Sequence, residues 1–435
     1  MTDVADELRD TIRSRGPITF ADFMRAALYS PRGGYYVRHN ALGAEGDFYT
    51  APLTHPVFGA LVARQLAQLW RDADSPTRYW VIEPGAGTGR LAADVTEHAA
   101  AVDSEFAAAM RYAAVDVAPP RVVAATVGWV RAGGLPISVP HGVILANELM
   151  DAMPVHRVTV ADGELREIRV ALDAQGGFVE ELSEPAPGLA ERLDSLGVRL
   201  TDGHRAEIDL GLEAWAVEAA AALGSGHLVV IDYGHEAAAY YHESRRRGTL
   251  RCYYRHTLNM DPYHHVGDQD ISVHVELTSL RRLAVAAGFA FVGSASQAEF
   301  LRSLGFDAYR RDVAERGDLS RAARLANLRA LDMLVEPSGM GAFHVLVFRK
   351  GDVPGDVAGL RGAAQELTVG APLPGPGHMP LGVPPEPVIP TWPELLRWAS
   401  PPDSVSALAA SFVGASSSSP AGKGLQRRAV TMNPV

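Results

Sequence analysis

The 435-residue chain contains one cysteine, Cys252. A lone thiol excludes an intrachain disulfide framework and a cysteine-rich zinc site. His256, His264, His265 and His274 follow no zinc-ligand spacing, so no metal is expected. No apolar run approaches the roughly 18 residues that a membrane span requires. Positive charge is in deficit. Lys and Arg number 40 against 51 Asp and Glu, a formal charge of -11, which argues against a broad nucleic-acid face. Asp3, Asp6, Glu7 and Asp10 crowd the start of the chain, where a signal or transit peptide has no acids. A soluble cytoplasmic protein is expected. What is present is globular in composition, with 47% hydrophobic and 21% charged residues. The length suits one large domain or two ordinary ones.

The chain is organised around residues 79–90, Tyr-Trp-Val-Ile-Glu-Pro-Gly-Ala-Gly-Thr-Gly-Arg. Residues 78–82 suit a buried strand, and 90–98 read as a helix. Gly85, Gly87 and Gly89 lie between them and permit a tight turn that a ligand can approach closely. The alternative is an ordinary glycine-rich turn. The dinucleotide spacing G-x-G-x-x-G is not met, which disfavours a nicotinamide-dependent dehydrogenase. The E-x-G-x-G-x-G pattern resembles motif I of the class I S-adenosylmethionine (SAM) methyltransferases. That resemblance implies glycines packed under the cofactor and an acid, Glu83, that helps hold its methionine part.

Before the cradle, Val4, Leu8 and Ile12 form one helical stripe, and Thr19 can cap a helix over 20–29. A glycine- and aromatic-rich loop spans 33–52, and loops of this kind often carry sites. An amphipathic helix follows over 56–70. After the cradle, a strand over 111–115 ends at Asp116, where an acid can accept hydrogen bonds from ribose hydroxyls. A short strand is expected near 135–139 and another over 142–146. At the end of the latter sit Asn147, Glu148 and Asp151. Ligands of open parallel sheets bind outside the carboxyl ends of the strands. A helical turn starting there would put Glu148 and Asp151 on one face, able to clamp a guanidinium or take a proton. The plainer reading is helix-start chemistry.

Residues 155–183 read as an antiparallel meander that covers the substrate side. Helices are expected over 189–200, 211–223, 277–287 and 319–335, and strands over 226–231, 289–295 and 342–349. A final pair of strands fits a sheet with one antiparallel member. Cys252 reads as packing rather than as a nucleophile. Beyond 351 Pro, Gly and Ser dominate, which reads as a mostly disordered tail with a short helix at 392–398.

Several ordered blocks together resemble the MidA family of SAM-dependent methyltransferases. They are Gly16-Pro17-Ile18, Pro31 to Tyr36, Gly46-Asp47-Phe48 with Thr50 and Pro52, and the cradle from Glu83 to Gly89. Then come Asn147-Glu148 with Asp151, Asp232-Tyr233-Gly234, Gly248-Thr249-Leu250-Arg251, and Gln269-Asp270-Ile271 with His274-Val275. The resemblance implies an α/β fold, the Rossmann-like sheet of class I methyltransferases, with an N-terminal helical extension and an inserted substrate-covering region. The expected division is 1–70 for the extension, 71–350 for the core with an insertion over about 155–215, and 351–435 for the tail.

The resemblance also implies SAM as cofactor. Glu83, Gly85, Gly87, Gly89, Asp116 and Asn147 would contact it, and Asp47, Phe48 and Thr50 belong to the loop that closes on it. Glu148 and Asp151 would be catalytic. The family includes an enzyme that dimethylates an arginine during assembly of respiratory complex I, so the implied reaction is N-methylation of an arginine in a protein partner, a complex I core subunit among the candidates. Ala51 and Leu53 depart from the family loop, which usually runs Thr-Ser-Pro-Glu, and Ala60 from a Gly-Glu pair. A small-molecule or peptide acceptor is the alternative, and a non-catalytic assembly factor on the same fold is a third reading.

Overall fold

A computed structural model describes residues 3–37, 50–255, 257–362, 369–375 and 377–379. Seven strands form the central sheet. From edge to edge they are Ala290–Ser296, His344–Lys350, Leu223–Asp232, Val139–Asn147, Tyr79–Pro84, Met110–Asp116 and Val127–Arg131. The last five pair in parallel, and His344–Lys350 runs antiparallel to both of its neighbours. The expected closing strand pair, with one antiparallel member, is therefore present.

The order fixes where a ligand can sit. The chain builds outward from Tyr79–Pro84 to one edge, then crosses back to lay Val139–Asn147 on its other side. A crevice opens at such a reversal, beyond the carboxyl ends of the two strands. The strands can serve as a platform because both faces are covered. Val143, Ile144, Leu145 and Ala146 are all at most 1% exposed, the continuous apolar run of a buried parallel strand rather than an alternating one.

The helix Val57–Asp72 packs against Arg90–Val102, which follows the glycine turn. Gly59 allows the approach. A Cβ there would lie 2.4 Å from the Cβ of Asp94.

The strand expected at 135–139 is not found. Val127–Arg131 occupies that place in the sheet, and Val139 already begins the next strand. Val127–Arg131 is a partly exposed edge strand, so it lacks the solid apolar run by which a buried strand is read.

The meander is present as His156–Ala161, Glu164–Leu172 and Phe178–Ser183, extended by Arg205–Ile208 and by Ile18–Thr19. It does not border the cavity described below. It supports the N-terminal helices Val4–Arg15 and Phe20–Tyr29 instead. The side chain of Thr19 accepts from the Asp22 amide, capping the second helix as read from sequence. Phe20, Phe23, Met24 and Leu28 are fully buried in a cluster with Val170, Leu250, Cys252 and Ile271. Each such side chain contributes roughly 1.5–3 kcal/mol on burial. Cys252 is packing, and burial raises its thiol pKa.

The stretch past Gly351 is not uniformly loose. The Gln68 side chain accepts from the Ala358 amide at 3.1 Å, and the Gln65 side chain accepts from the Gly359 amide at 2.8 Å. Further on, the Met379 amide donates to the carbonyl of Leu53. The 392–398 segment and His256 lie outside the described residues. No helix among the described residues is long and apolar enough to cross a membrane.

Candidate functional site

The Tyr79–Pro84 strand ends in a turn whose three glycines all have positive φ: Gly85 at 69°, Gly87 at 55° and Gly89 at 82°. An L side chain is strained in that region. Space is also short, since a Cβ on Gly85 would meet Leu149 at 2.7 Å. The turn is tied to the neighbouring strand. The amides of Gly85 and Ala86 both donate to the carbonyl of Val115. The Gly87 amide donates to Oδ2 of Asp116 at 2.8 Å, and the Ala118 amide donates to Oδ1 at 2.9 Å. The strand-end acid foreseen for a ribose therefore also splints the glycine turn. Burial raises its pKa.

Glu83 is buried at the strand end, and the Tyr112 hydroxyl donates to its Oε2 at 2.8 Å. Burial, opposed by that hydrogen bond, pushes its pKa up to about 8. Tyr112 was not singled out from sequence. Strand alternation held the signal, because Tyr112 pairs with Val81 and Ala114 with Glu83, so Tyr112 and Glu83 share a face.

The end of Val139–Asn147 supplies the acidic part. Glu148 has φ of 48°, uncommon for a residue with a side chain. The helical turn expected from Glu148 onward is thus absent, and only Met150–Ala152 forms a 3-10 turn. Glu148 and Asp151 still reach the same cavity. Oε1 of Glu148 accepts from the Ala51 amide at 3.0 Å and from Nδ2 of Asn147 at 3.1 Å. Both bonds fall on Oε1, and Oε2 accepts none among the described residues. Burial and the nearby Asp151 push the Glu148 pKa up to about 8.

Asp151 receives a 2.5 Å hydrogen bond on Oδ2 from the Tyr233 hydroxyl. Its Oδ1, like Oδ1 of Asn147, is buried with no hydrogen-bond partner among the described residues. Burial raises the Asp151 pKa. Behind them Asp232 accepts from the amides of Met150 and Tyr233 at 2.9 and 2.8 Å, and from Leu149 at 3.2 Å. It shapes the turn that presents Glu148 and Asp151.

These groups surround one cavity of about 400 Å³, within the range of small-molecule sites. Thr50, Glu83, Gly85, Gly87, Asp116, Asn147, Glu148 and Asp151 all border it. Gly89 does not. It precedes the Arg90–Val102 helix, and a Cβ there would lie 2.7 Å from the carbonyl of Val122, so its part is the turn. Asp47 and Phe48 lie outside the described residues. The sequence reading did not assign Tyr29, Tyr36 and Trp215 to the site, yet all three border the cavity. Among the described residues no three His, Cys, Asp or Glu side chains converge as metal ligands do.

The arrangement fits SAM on the chemistry present. A backbone turn without Cβ atoms, a strand-end carboxylate for hydroxyl donors, and the Glu83 carboxyl beside the turn for an ammonium are the complements that molecule needs.

Comparison with known proteins agrees. The family model for S-adenosyl-L-methionine-dependent methyltransferases matches residues 61–295. The mitochondrial protein arginine methyltransferase NDUFAF7 of Rattus norvegicus is 28% identical over 384 residues, 79% of this chain and 84% of the relative. The human protein of that name is 27% identical over 375 residues, 78% and 82% of the two chains. A crystal structure from Burkholderia thailandensis, bound to S-adenosyl-homocysteine, is 31% identical with a TM-score of 0.73, covering 83% of this chain and 95% of that one. With its class I sheet, its glycine turn and these matches, the chain belongs to the family of S-adenosyl-L-methionine-dependent methyltransferases.

Proposed function

We propose that this methyltransferase acts on an arginine side chain of a protein partner, with a core subunit of respiratory complex I as the first candidate from the family resemblance. The observation that carries the reading is the buried acidic end of the cavity, where Glu148 and Asp151 border the same space. Two buried carboxyl groups beside one space are costly to ionise unless a cation joins them. A guanidinium is suited to do so, since its parallel N–H groups match two carboxylates in fixed geometry. The names of the mitochondrial relatives point the same way.

SAM supplies an electrophilic methyl group when bound. The residues of this chain hold the acceptor and manage its proton. Most of the rate comes from fixing the acceptor nitrogen in near-attack geometry, which Glu148 and Asp151 do from two directions. A guanidinium is a poor nucleophile while its lone pairs are delocalised. Hydrogen bonds from its remaining N–H groups to these carboxylates orient it, and one carboxylate accepts the proton released as the nitrogen is alkylated. Glu148, whose pKa burial raises to about 8, takes that role in its ionised form. Tyr233 holds Asp151 in place.

One observation favours a smaller acceptor as the second reading. Leu53 borders the cavity where the family loop usually carries an acid. Incubating the purified protein with cell extract and methyl-labelled SAM separates the two. Label in a protein, recovered as methylarginine after acid hydrolysis, supports the first reading. Label confined to a low-mass product supports the second and removes the first.

A further inference from the structure

The cavity has two chemically different walls at its acceptor end. Glu148 and Asp151 come from the carboxyl edge of the sheet. Tyr29 and Tyr36 come from the N-terminal extension and border the same space. The two rings stack, with centroids 5.5 Å apart and planes 23° from parallel. Both phenols are tethered at their far ends. The Tyr29 hydroxyl donates to the carbonyl of Ala152 at 2.9 Å, and the Tyr36 hydroxyl donates to Oδ1 of Asp270 at 2.7 Å. What each tyrosine offers the cavity is therefore ring, not hydroxyl. Asp151 borders the same cavity, and the Tyr29 hydroxyl bonds the carbonyl of the residue that follows it. Arg25 also borders the cavity, but its guanidinium is paired with Asp22 at 2.7 Å.

We propose that Tyr29 and Tyr36 determine acceptor specificity, stacking on a planar cation whose N–H edge is held by Glu148 and Asp151. The inference rests on the arginine reading above and narrows it to a way of recognition. A guanidinium is flat and weakly hydrated on its faces, with all its donors at the edge. Aromatic rings suit the faces and carboxylates suit the edge. A lysine ammonium has no flat face to stack, and a neutral amide or urea has no charge for the ring quadrupole.

The test uses the full-length protein saturated with S-adenosyl-homocysteine. Three probes of equal chain length are titrated by saturation-transfer NMR: butylguanidinium, butylammonium and butylurea. Butylguanidinium is expected to bind at least about tenfold more tightly than the other two. Tyr29→Leu and Tyr36→Leu should each weaken it about five- to thirtyfold, the range of a desolvated cation–π contact. Tyr29→Phe and Tyr36→Phe keep the ring and should stay within about threefold of the parent. Affinity for S-adenosyl-homocysteine, measured by calorimetry, should not change.

Unchanged butylguanidinium affinity in both Leu variants, with loss in Asp151→Asn, overturns the aromatic clamp and leaves the arginine reading standing. Equal binding of butylguanidinium and butylammonium to the parent overturns both. If a Leu variant does not fold, ring-selective labelling of the parent's tyrosines decides. Upfield shifts of the probe's methylene protons and perturbed Tyr29 and Tyr36 ring signals support the clamp, and unperturbed rings overturn it.

Discussion

The Tyr233 phenol donates a 2.5 Å hydrogen bond to Oδ2 of Asp151, while Oδ1 of the same carboxylate is buried with no partner among the described residues. The phenol fixes the orientation of the carboxylate. Tyr233→Phe removes the anchor and keeps the ring that packs on His274 and Phe343. A hydrogen bond to a charged group contributes about 1.5–3 kcal/mol, so turnover should fall about 10- to 100-fold. Single-turnover methyl transfer and calorimetry with S-adenosyl-homocysteine check this. Cofactor affinity should stay within about twofold, and an equal loss in both measurements would mean that Tyr233 supports the whole cavity rather than Asp151.

Asp151→Asn should go further. It replaces the carboxylate with a neutral amide, so transfer is expected to drop by about a thousandfold as the acceptor loses its orienting charge. Unchanged turnover would take Asp151 out of the mechanism.

The pH profile has a definite sign. Glu148 must be ionised to pair with a guanidinium, and burial holds its pKa up to about 8. Acceptor kcat/KM should therefore rise with pH through the range around 8 and level off above it. Glu148→Gln should remove that limb as well as most of the activity. Acceptor binding near neutral pH should also release protons, which calorimetry in buffers of different ionisation enthalpy measures.

Stability should run the opposite way. Glu83 and Glu148 ionise near pH 4.5 when freed from the fold and at about 8 within it. Between those values the folded state holds protons that the unfolded chain has released, so stability falls as pH rises and the decline ends above about pH 8. Urea unfolding at pH 5.5 and pH 8.5 tests this. Glu83→Gln, which retains an acceptor for the Tyr112 hydroxyl, should flatten the dependence. A protein equally stable at both pH values would remove the raised pKa of these acids.

The glycine turn admits a direct cofactor test. Gly87 has positive φ and donates to Asp116. Valine at Gly87 is β-branched and strained in that conformation, at a cost of order 1–3 kcal/mol. Gly87→Val should abolish calorimetric binding of S-adenosyl-homocysteine while circular dichroism keeps the helix and strand content of the parent. Retained binding would mean that the turn does not hold the cofactor.

Much of the site was legible because its signals are local. The strand-turn-helix from Tyr79 to the Arg90–Val102 helix announces itself through an apolar run, alternate glycines and a helical pattern within 24 consecutive residues. The same holds for the Thr19 cap, the stripe of Val4, Leu8 and Ile12, and the acids at the end of Val139–Asn147. The edge strand Val127–Arg131 was missed because one face meets solvent. That the meander's buried face lies against the N-terminal helices was not legible, because alternation shows that a sheet has a buried face but not what lies against it.

The sequence by itself determined the secondary elements of the core, the glycine turn and the acids at the strand ends, since periodicity and turn chemistry depend on near neighbours in the chain. Only the tertiary structure decided that Tyr29 and Tyr36 border one cavity with the acids, that Tyr112 meets Glu83, and that Tyr233 anchors Asp151. Those meetings depend on the path of the chain through the sheet. They join distant residues, as in the bonds from Tyr29 to Ala152, 123 positions apart, and from Tyr36 to Asp270, 234 apart. No local pattern encodes such a distance, because the burial that drives it is non-directional and rewards any apolar partner of suitable shape.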